Sequence, residues 1–431
     1  MRQTFHSRTH LVLLLLIAVT LPFSRNINSY CIVLLALNWV AEGQFREKWQ
    51  RLRNNRLALL FLAFFLLHVA GVLYSEYWQD ALKLVERKLA LLVFPVVLGS
   101  IAPIGKKNIQ KLFLAFAATI AGGALFSLLV HAWQWLSTGA EPEIFYHALV
   151  QPIGISAIYY SCYVCFSIFA LAFYIKENWQ VLSFNIKFIS GFLILFLTGF
   201  LILLSSKIFL FIFIILGNLF LLFFIFNKQR IKKAAIAGGA FTILVAVVIA
   251  SVDAIQERFR SVWPSNLEVL QQEQFRYDTP FTGLTLRLVL WQMAWQVQQE
   301  QQAWIQGVGI GDARPLLNEQ YRERNLYLGN PDLNDTGYLN YNVHNQYVQV
   351  LLELGVVGLL LWLAYLFLPL LVAGYGANRL WIFFTIMMAT FALTEVYLAT
   401  QRGVVFFAMF QSLFVFLMKK DETGANGKFV L

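Results

Sequence analysis

Over most of its length the chain repeats one pattern: a long apolar run, then a short polar joint. Runs approaching ~20 residues with few charges are the pattern of helices that cross a bilayer. Read this way, the sequence predicts twelve spans, at roughly 10–24, 27–42, 56–75, 87–102, 109–137, 153–175, 185–205, 207–226, 234–253, 343–373, 379–399 and 402–418. One polar stretch breaks the rhythm, the glutamine-rich segment from Ala254 to Tyr341. The predicted organisation is nine helices over 1–253, an extramembrane loop over 254–341, three helices over 342–419 and a tail over 420–431. Within the loop, Leu284, Leu288, Trp291 and Trp295 fall on one face of a helix led by Arg287, an amphipathic pattern suited to the membrane–water boundary. "QGVGIGDARP" (Gln306 to Pro315) reads as a glycine-rich turn, and no strand–helix unit surrounds it to make a nucleotide loop. No internal repeat stands out.

Composition supports a membrane bundle. Of 431 residues, 59% are hydrophobic and 13% charged, against about a quarter charged in soluble domains. The net charge of +10 does not point to nucleic acid, because membrane proteins hold Lys and Arg in cytoplasmic loops. With the N-terminus inside, twenty of the 33 Lys and Arg fall in cytoplasmic segments, among them Arg46, Lys48, Arg51, Lys228, Arg230 and Lys419. The short outer loops hold six. This bias predicts both termini in the cytoplasm and the 254–341 loop outside. "MRQTFHSRTHLVLLLLIAVTLPFS" resembles a signal sequence but lacks a small-x-small cleavage site, so it reads as an uncleaved first helix. Cys162 and Cys165 have CxxC spacing without a second pair, which argues for packing residues rather than a zinc site.

No HExxH, GxSxG or carboxylate-cage motif is present, so neither a metal centre nor a serine triad is expected. Candidates for chemistry on the outer side are Lys207, Arg287, His344, His147 and the loop residues Arg276, Arg314, Arg322 and Arg324. His344 opens the tenth span in "NVHNQYVQVLLELGVVGLLLW". An imidazole there can act as a general base or simply hydrogen-bond a headgroup. Asn345 beside it suits the polar start of a helix. Arg287 and Lys207 can clamp a lipid diphosphate or bind ordinary lipid phosphates. Glu353 lies nine residues after His344, ~13 Å along a continuous helix and on nearly the opposite face. An intramembrane carboxylate is a functional candidate by default, and an interhelical hydrogen bond is the plainer reading. Gly355 and Gly358 are spaced to let another helix approach. Glu395, in "LTEVYLATQRG", is placed to orient a catalytic group or an arginine.

His344-Asn345, nine residues, Gly355, two residues and Gly358 together resemble the signature of the O-antigen ligases, a superfamily shared with O-antigen polymerases and protein O-oligosaccharyltransferases. "RLVLWQMAW" upstream, then "GVGIG", and "TEVYLATQRGVVFF" downstream agree with it. The resemblance covers about Phe281 to Phe416 in detail and the remainder in layout. It implies an all-α, GT-C-type glycosyltransferase of the bacterial inner membrane. Such an enzyme moves a glycan from undecaprenyl diphosphate to lipid A–core on the periplasmic face, with inversion and without cofactor or metal. The family's histidine base maps to His344 and one family arginine to Arg287. The other arginine normally follows a serine between two spans, where this chain has Ser206-Lys207. The charge is kept there and the bidentate fork is lost. A polymerase of the same superfamily is the nearest alternative. A transporter or flippase of lipid-linked sugars is the other. Transporters commonly show two repeated halves, whereas here the large loop follows the ninth span.

Overall fold

The computed structural model describes residues 2–222, 231–260, 267–330, 332, 335–372 and 379–417. The predicted cations Lys228, Arg230, Lys419, Lys420 and Lys428 and the 420–431 tail lie outside them. Among the described residues the chain is helical, with no strand and one isolated bridge between Asn330 and Asp335.

A helical hairpin begins the chain, α1 (Arg2–Thr20) and α2 (Arg25–Glu42), with Ser24 capping the second helix. The amphipathic α3 (Phe45–Arg53) leads into α4 (Arg56–Leu73), whose start is capped by Asn55. A second amphipathic helix, α5 (Trp78–Arg87), precedes α6 (Ala90–Ser100). Next come α7 (Lys106–Thr138), the short α8 (Tyr146–Val150), α9 (Ala157–Asn178), α10 (Phe184–Leu203), α11 (Lys207–Phe220) and α12 (Ile231–Ala250). The polar stretch forms α13 (Asp253–Arg260), α14 (Gly283–Glu300) and α15 (Ala313–Glu323). Last are α16 (Gln346–Leu371), α17 (Arg379–Phe391) and α18 (Gln401–Ser412).

A helix occupies each of the twelve predicted segments, but among the described residues six are long and apolar enough to cross a membrane: Arg56–Leu73, Lys106–Thr138, Ala157–Asn178, Phe184–Leu203, Lys232–Ala250 and Gln346–Leu371. Phe5–Thr20, Lys207–Phe220, Arg379–Phe391 and Gln401–Leu417 are apolar and shorter. Helices α18 and α9 form the centre. Every residue from Gly403 to Ser412 is buried, and Phe166 of α9 packs against Phe406, Phe410 and Phe414. By contrast, α10 and α12 leave most of their apolar surface outward, as expected of helices facing lipid tails.

The polar stretch folds into a layer with its own core. On α14, Val289, Leu290, Met293, Ala294 and Val297 are buried with Ala313, Leu317 and Tyr321 of α15. That core also takes in Val343, Leu352 and Val396, so the layer is continuous with the start of α16. The predicted outward face of α14 is present in part: Leu284 and Trp295 are exposed, whereas Leu288 and Trp291 are partly buried.

The sequence predicts an unbroken tenth span, and the structure corrects it. Gly355 has φ +65° and ψ −166°, which breaks α16. The "GVGIG" turn enters that break. Val308 and Gly309 donate their N–H groups to the carbonyls of Leu352 and Glu353, at 2.9 and 3.1 Å. Val356 and Val357 donate to Trp304 and Ile305, at 2.8 and 3.3 Å. Irregular backbone at membrane depth is tolerated only when protein satisfies its polar groups, and here one loop satisfies both sides. Gly355 is therefore seamed against the backbone of Ile305, not against a second membrane helix. A Cβ on Gly358 would meet its own helix's Leu354.

Glu353 sits at the break and does not contact His344. Its carboxylate takes Lys88 Nζ at 3.5 Å and Gln349 Nε2 at 2.8 Å, with both charged side chains buried. Replacing one partner of a buried pair leaves the other charge uncompensated. Lys88→Met is therefore expected to cost about 3–5 kcal/mol, and Lys88→Met/Glu353→Gln should recover most of it. Thermal melting of the purified variants checks this; a single variant that melts like the wild type refutes it.

Candidate active site

The turn that carries His344 is shaped by its polar neighbours. Asn342 Oδ1 accepts the His344 N–H at 2.9 Å, and His344 takes φ +48°, uncommon for a side-chain-bearing residue. Asn345 then caps α16, its Oδ1 accepting the N–H groups of Tyr347 and Val348 at 2.9 and 3.1 Å. Its Nδ2 donates to Leu393 O at 3.2 Å. Gln346 N–H donates to Ala392 O at 2.8 Å, and Gln346 Oε1 accepts from Leu398 N–H at 2.9 Å. Two consecutive residues thus tie the histidine turn to the α17–α18 connection that holds Glu395.

Glu395 joins two of the candidates. Its Oε2 lies 3.3 Å from His344 Nδ1 and its Oε1 3.3 Å from Arg287 Nη2. The three side chains are 12–27% exposed, sheltered yet accessible. Arg287 is also fixed by carbonyls: Nε donates to Thr394 O at 3.2 Å and Nη1 to Gly283 O at 2.7 Å. A reciprocal cap between Thr282 and Thr285 sets the start of α14 and so the place of Arg287. One turn later, the Trp291 indole N–H donates to Val343 O at 2.9 Å, holding the histidine turn from a second side.

Arg287, Glu395 and Lys207 line one pocket of about 410 Å³, walled by Tyr146, Ile158, Phe211 and Leu284. Lys207 is the first residue of α11, after Ser205 at φ +42°. Two cations among apolar walls suit an anionic headgroup that carries a lipid chain.

Other candidates lie elsewhere. His147 accepts the Ala157 N–H at 3.3 Å through Nδ1 and packs at a tilt against Tyr146, and Tyr146 rather than His147 lines the pocket. Arg314 lines a separate cleft of about 230 Å³ with Tyr77, Asp80 and Lys83. There the hydrogen bond and charge of Lys83, then the charge of Arg314, hold the Asp80 carboxyl below its usual range. Arg276 pairs with Asp278 at 3.4 Å, Arg322 is exposed, and Arg324 donates to Gln296 at 2.7 Å. Cys162 and Cys165 are free thiols buried in α9. Sequence reasoning missed Lys88 as the partner of Glu353, although a lysine inside a predicted span was its signal. It also missed Trp291 as an anchor, since an indole's hydrogen bond leaves no trace in periodicity.

These elements define a class: an all-helical, multi-pass membrane protein with a histidine–carboxylate–arginine cluster at the end of an apolar pocket. Residues 191–363 match the family model described as O-antigen ligase, so this stretch of the chain is similar to that family. It contains Lys207, Arg287, His344 and Gly355; Glu395 lies beyond it. No curated protein matches the chain.

Proposed function

We propose that the chain is an O-antigen ligase, a GT-C-type enzyme with twelve spans, both termini in the cytoplasm and its site on the periplasmic face of the bacterial inner membrane. It transfers a glycan from undecaprenyl diphosphate to lipid A–core. The observation that carries the reading is the single carboxylate of Glu395 placed against both His344 Nδ1 and Arg287 Nη2.

With Nδ1–H donated to Glu395, Nε2 of His344 keeps a lone pair and can take a proton. The acceptor hydroxyl oxygen attacks the anomeric carbon as its proton passes to Nε2. The bond from that carbon to the diphosphate oxygen breaks, its electron pair leaves with the diphosphate, and the configuration inverts. Glu395 stabilises the imidazolium, as a carboxylate does behind a catalytic histidine. Arg287 and Lys207 stabilise the charge that grows on the departing diphosphate. Both substrates are lipid-anchored, so confinement in one membrane supplies proximity.

A strain lacking the protein is expected to build polymer on undecaprenyl diphosphate while lipid A–core stays bare. Core capped with one repeat unit would make the chain a polymerase, and repeat units held on the cytoplasmic leaflet would make it a transporter. Lys207 gives a finer test. A charge-assisted hydrogen bond is worth ~1.5–3 kcal/mol, so Lys207→Ala should lower kcat/KM for the donor by roughly 10–100-fold, and Lys207→Arg should retain activity. Unchanged kcat/KM in Lys207→Ala would remove Lys207 from the diphosphate site.

A further inference from the structure

A groove of about 630 Å³ runs along α14 beyond the site, faced across by residues 270–273. It is lined by Trp291 and Trp295 together with Gln292, Gln296 and Gln299. Trp295 is 54% exposed and is braced edge-on by Trp304, with ring centroids 4.6 Å apart. The walls are tied: Gln292 Nε2 donates to Leu270 O at 3.3 Å, and Arg324 Nη2 to Gln296 Oε1 at 2.7 Å. We propose that this groove binds the saccharide chain of the lipid-linked donor, an assignment that rests on the transferase reading above.

Three features carry it. The first is chemistry. A sugar ring has an apolar C–H face and a rim of hydroxyls that both donate and accept, and an indole face flanked by amides matches both. The second is continuity. Arg287, Trp291, Trp295 and Gln299 follow one another at four-residue spacing, so they form one stripe along α14. The stripe runs ~18 Å, twelve residues at 1.5 Å each. Its Arg287 end lines the pocket assigned to the diphosphate, and a glycan leaving that diphosphate can follow it. The third is charge. A helix that lies on anionic lipid carries Lys and Arg on its polar face. Between Gly283 and Glu300 the charged residues are Arg287 and Glu300, and the remaining polar positions are mostly glutamine.

The test compares two undecaprenyl-diphosphate donors, one bearing a single sugar and one bearing several, on the purified full-length protein. In Trp295→Ala and in Gln299→Ala, the ratio of kcat/KM for the long donor to that for the short donor is expected to fall roughly tenfold, the order of one lost anchor contact. An unchanged ratio overturns the groove assignment, whether absolute rates fall or hold. Saturation-transfer NMR with the free, lipid-less oligosaccharide gives a readout independent of turnover: binding by the wild type, lost in Trp295→Ala. If the wild type transfers neither donor, the transferase reading fails, and the NMR result alone decides the groove. A spin label at Trp295→Cys in nanodiscs that is reached by lipid-soluble oxygen and not by a water-soluble nickel chelate would place this face in the bilayer and also overturn the assignment.

Discussion

In the His344→Ala variant, glycan transfer falls by roughly 10²–10⁴-fold, the usual contribution of a positioned general base, while the protein reaches the membrane at its normal level. The contacts explain why the two outcomes separate. The imidazole touches Glu395 through Nδ1 and meets Tyr341 edge-on, with centroids 5.7 Å apart. The bonds that shape the turn use backbone groups and the side chains of Asn342, Asn345 and Gln346, which the substitution leaves in place. Glu395→Gln should lower transfer in the same direction, because the amide cannot balance an imidazolium as a carboxylate does. Assaying both variants with purified lipid-linked donor checks the assignment. Full activity in His344→Ala would rule out His344 as the base.

Gly355→Ala is expected to destabilise the protein by about 3 kcal/mol or more. Two costs add. The backbone at φ +65° and ψ −166° is a region that side-chain-bearing residues avoid, at ~1–3 kcal/mol. A Cβ would also run into the carbonyl of Ile305, pushing out the turn that satisfies the N–H groups of Val356 and Val357 and the carbonyls of Leu352 and Glu353. Each buried group left unpaired costs ~1–3 kcal/mol. Gly307→Ala should behave alike, since a Cβ there would meet the backbone of Glu353 at φ +75°. Gly358→Ala should cost less, because it lacks the positive-φ strain and leaves the turn's hydrogen bonds alone, although its Cβ would crowd the Leu354 Cβ of its own helix. Melting temperature and purified yield across the three variants test the arrangement. Equal effects at Gly355 and Gly358 would restore a simple helix-packing seam.

The helices were legible because each apolar run carries its own length signal. The shorter runs gave the same signal as the long ones, so periodicity could not separate the six helices that meet a spanning length from those that do not. His344, Arg287 and Lys207 were visible as motif positions, and the structure places Arg287 and Lys207 in one pocket, with His344 joined to it through Glu395. Glu395 was legible only as a carboxylate on the right side, because its contacts are with residues more than a hundred positions away in one case and fifty-one in the other. The break at Gly355 was not legible. "LELGVVG" has the composition of a continuous helix, and what opens it is a glycine turn some fifty residues earlier in the chain. No local rule couples two such segments, since their bonds run backbone to backbone and leave no mark on side-chain type.

That turn also fixes an order of assembly. Gly311 N–H donates to Ser75 Oγ at 3.1 Å, and the Asp312 carboxylate accepts the N–H groups of Glu76 and Tyr77, each at 2.9 Å. The joint between α4 and α5 is thus completed by residues made more than two hundred positions later. During synthesis, α4 and α5 are made well before the residues that complete their joint, whereas α16 follows residues 304–312 in the chain. One stretch, residues 304–312, thus both completes the α4–α5 joint and fills the break in α16. Completion of that joint therefore waits on residues 311 and 312, and a truncated chain ending before Asp312 would leave the α4–α5 joint without its clasp.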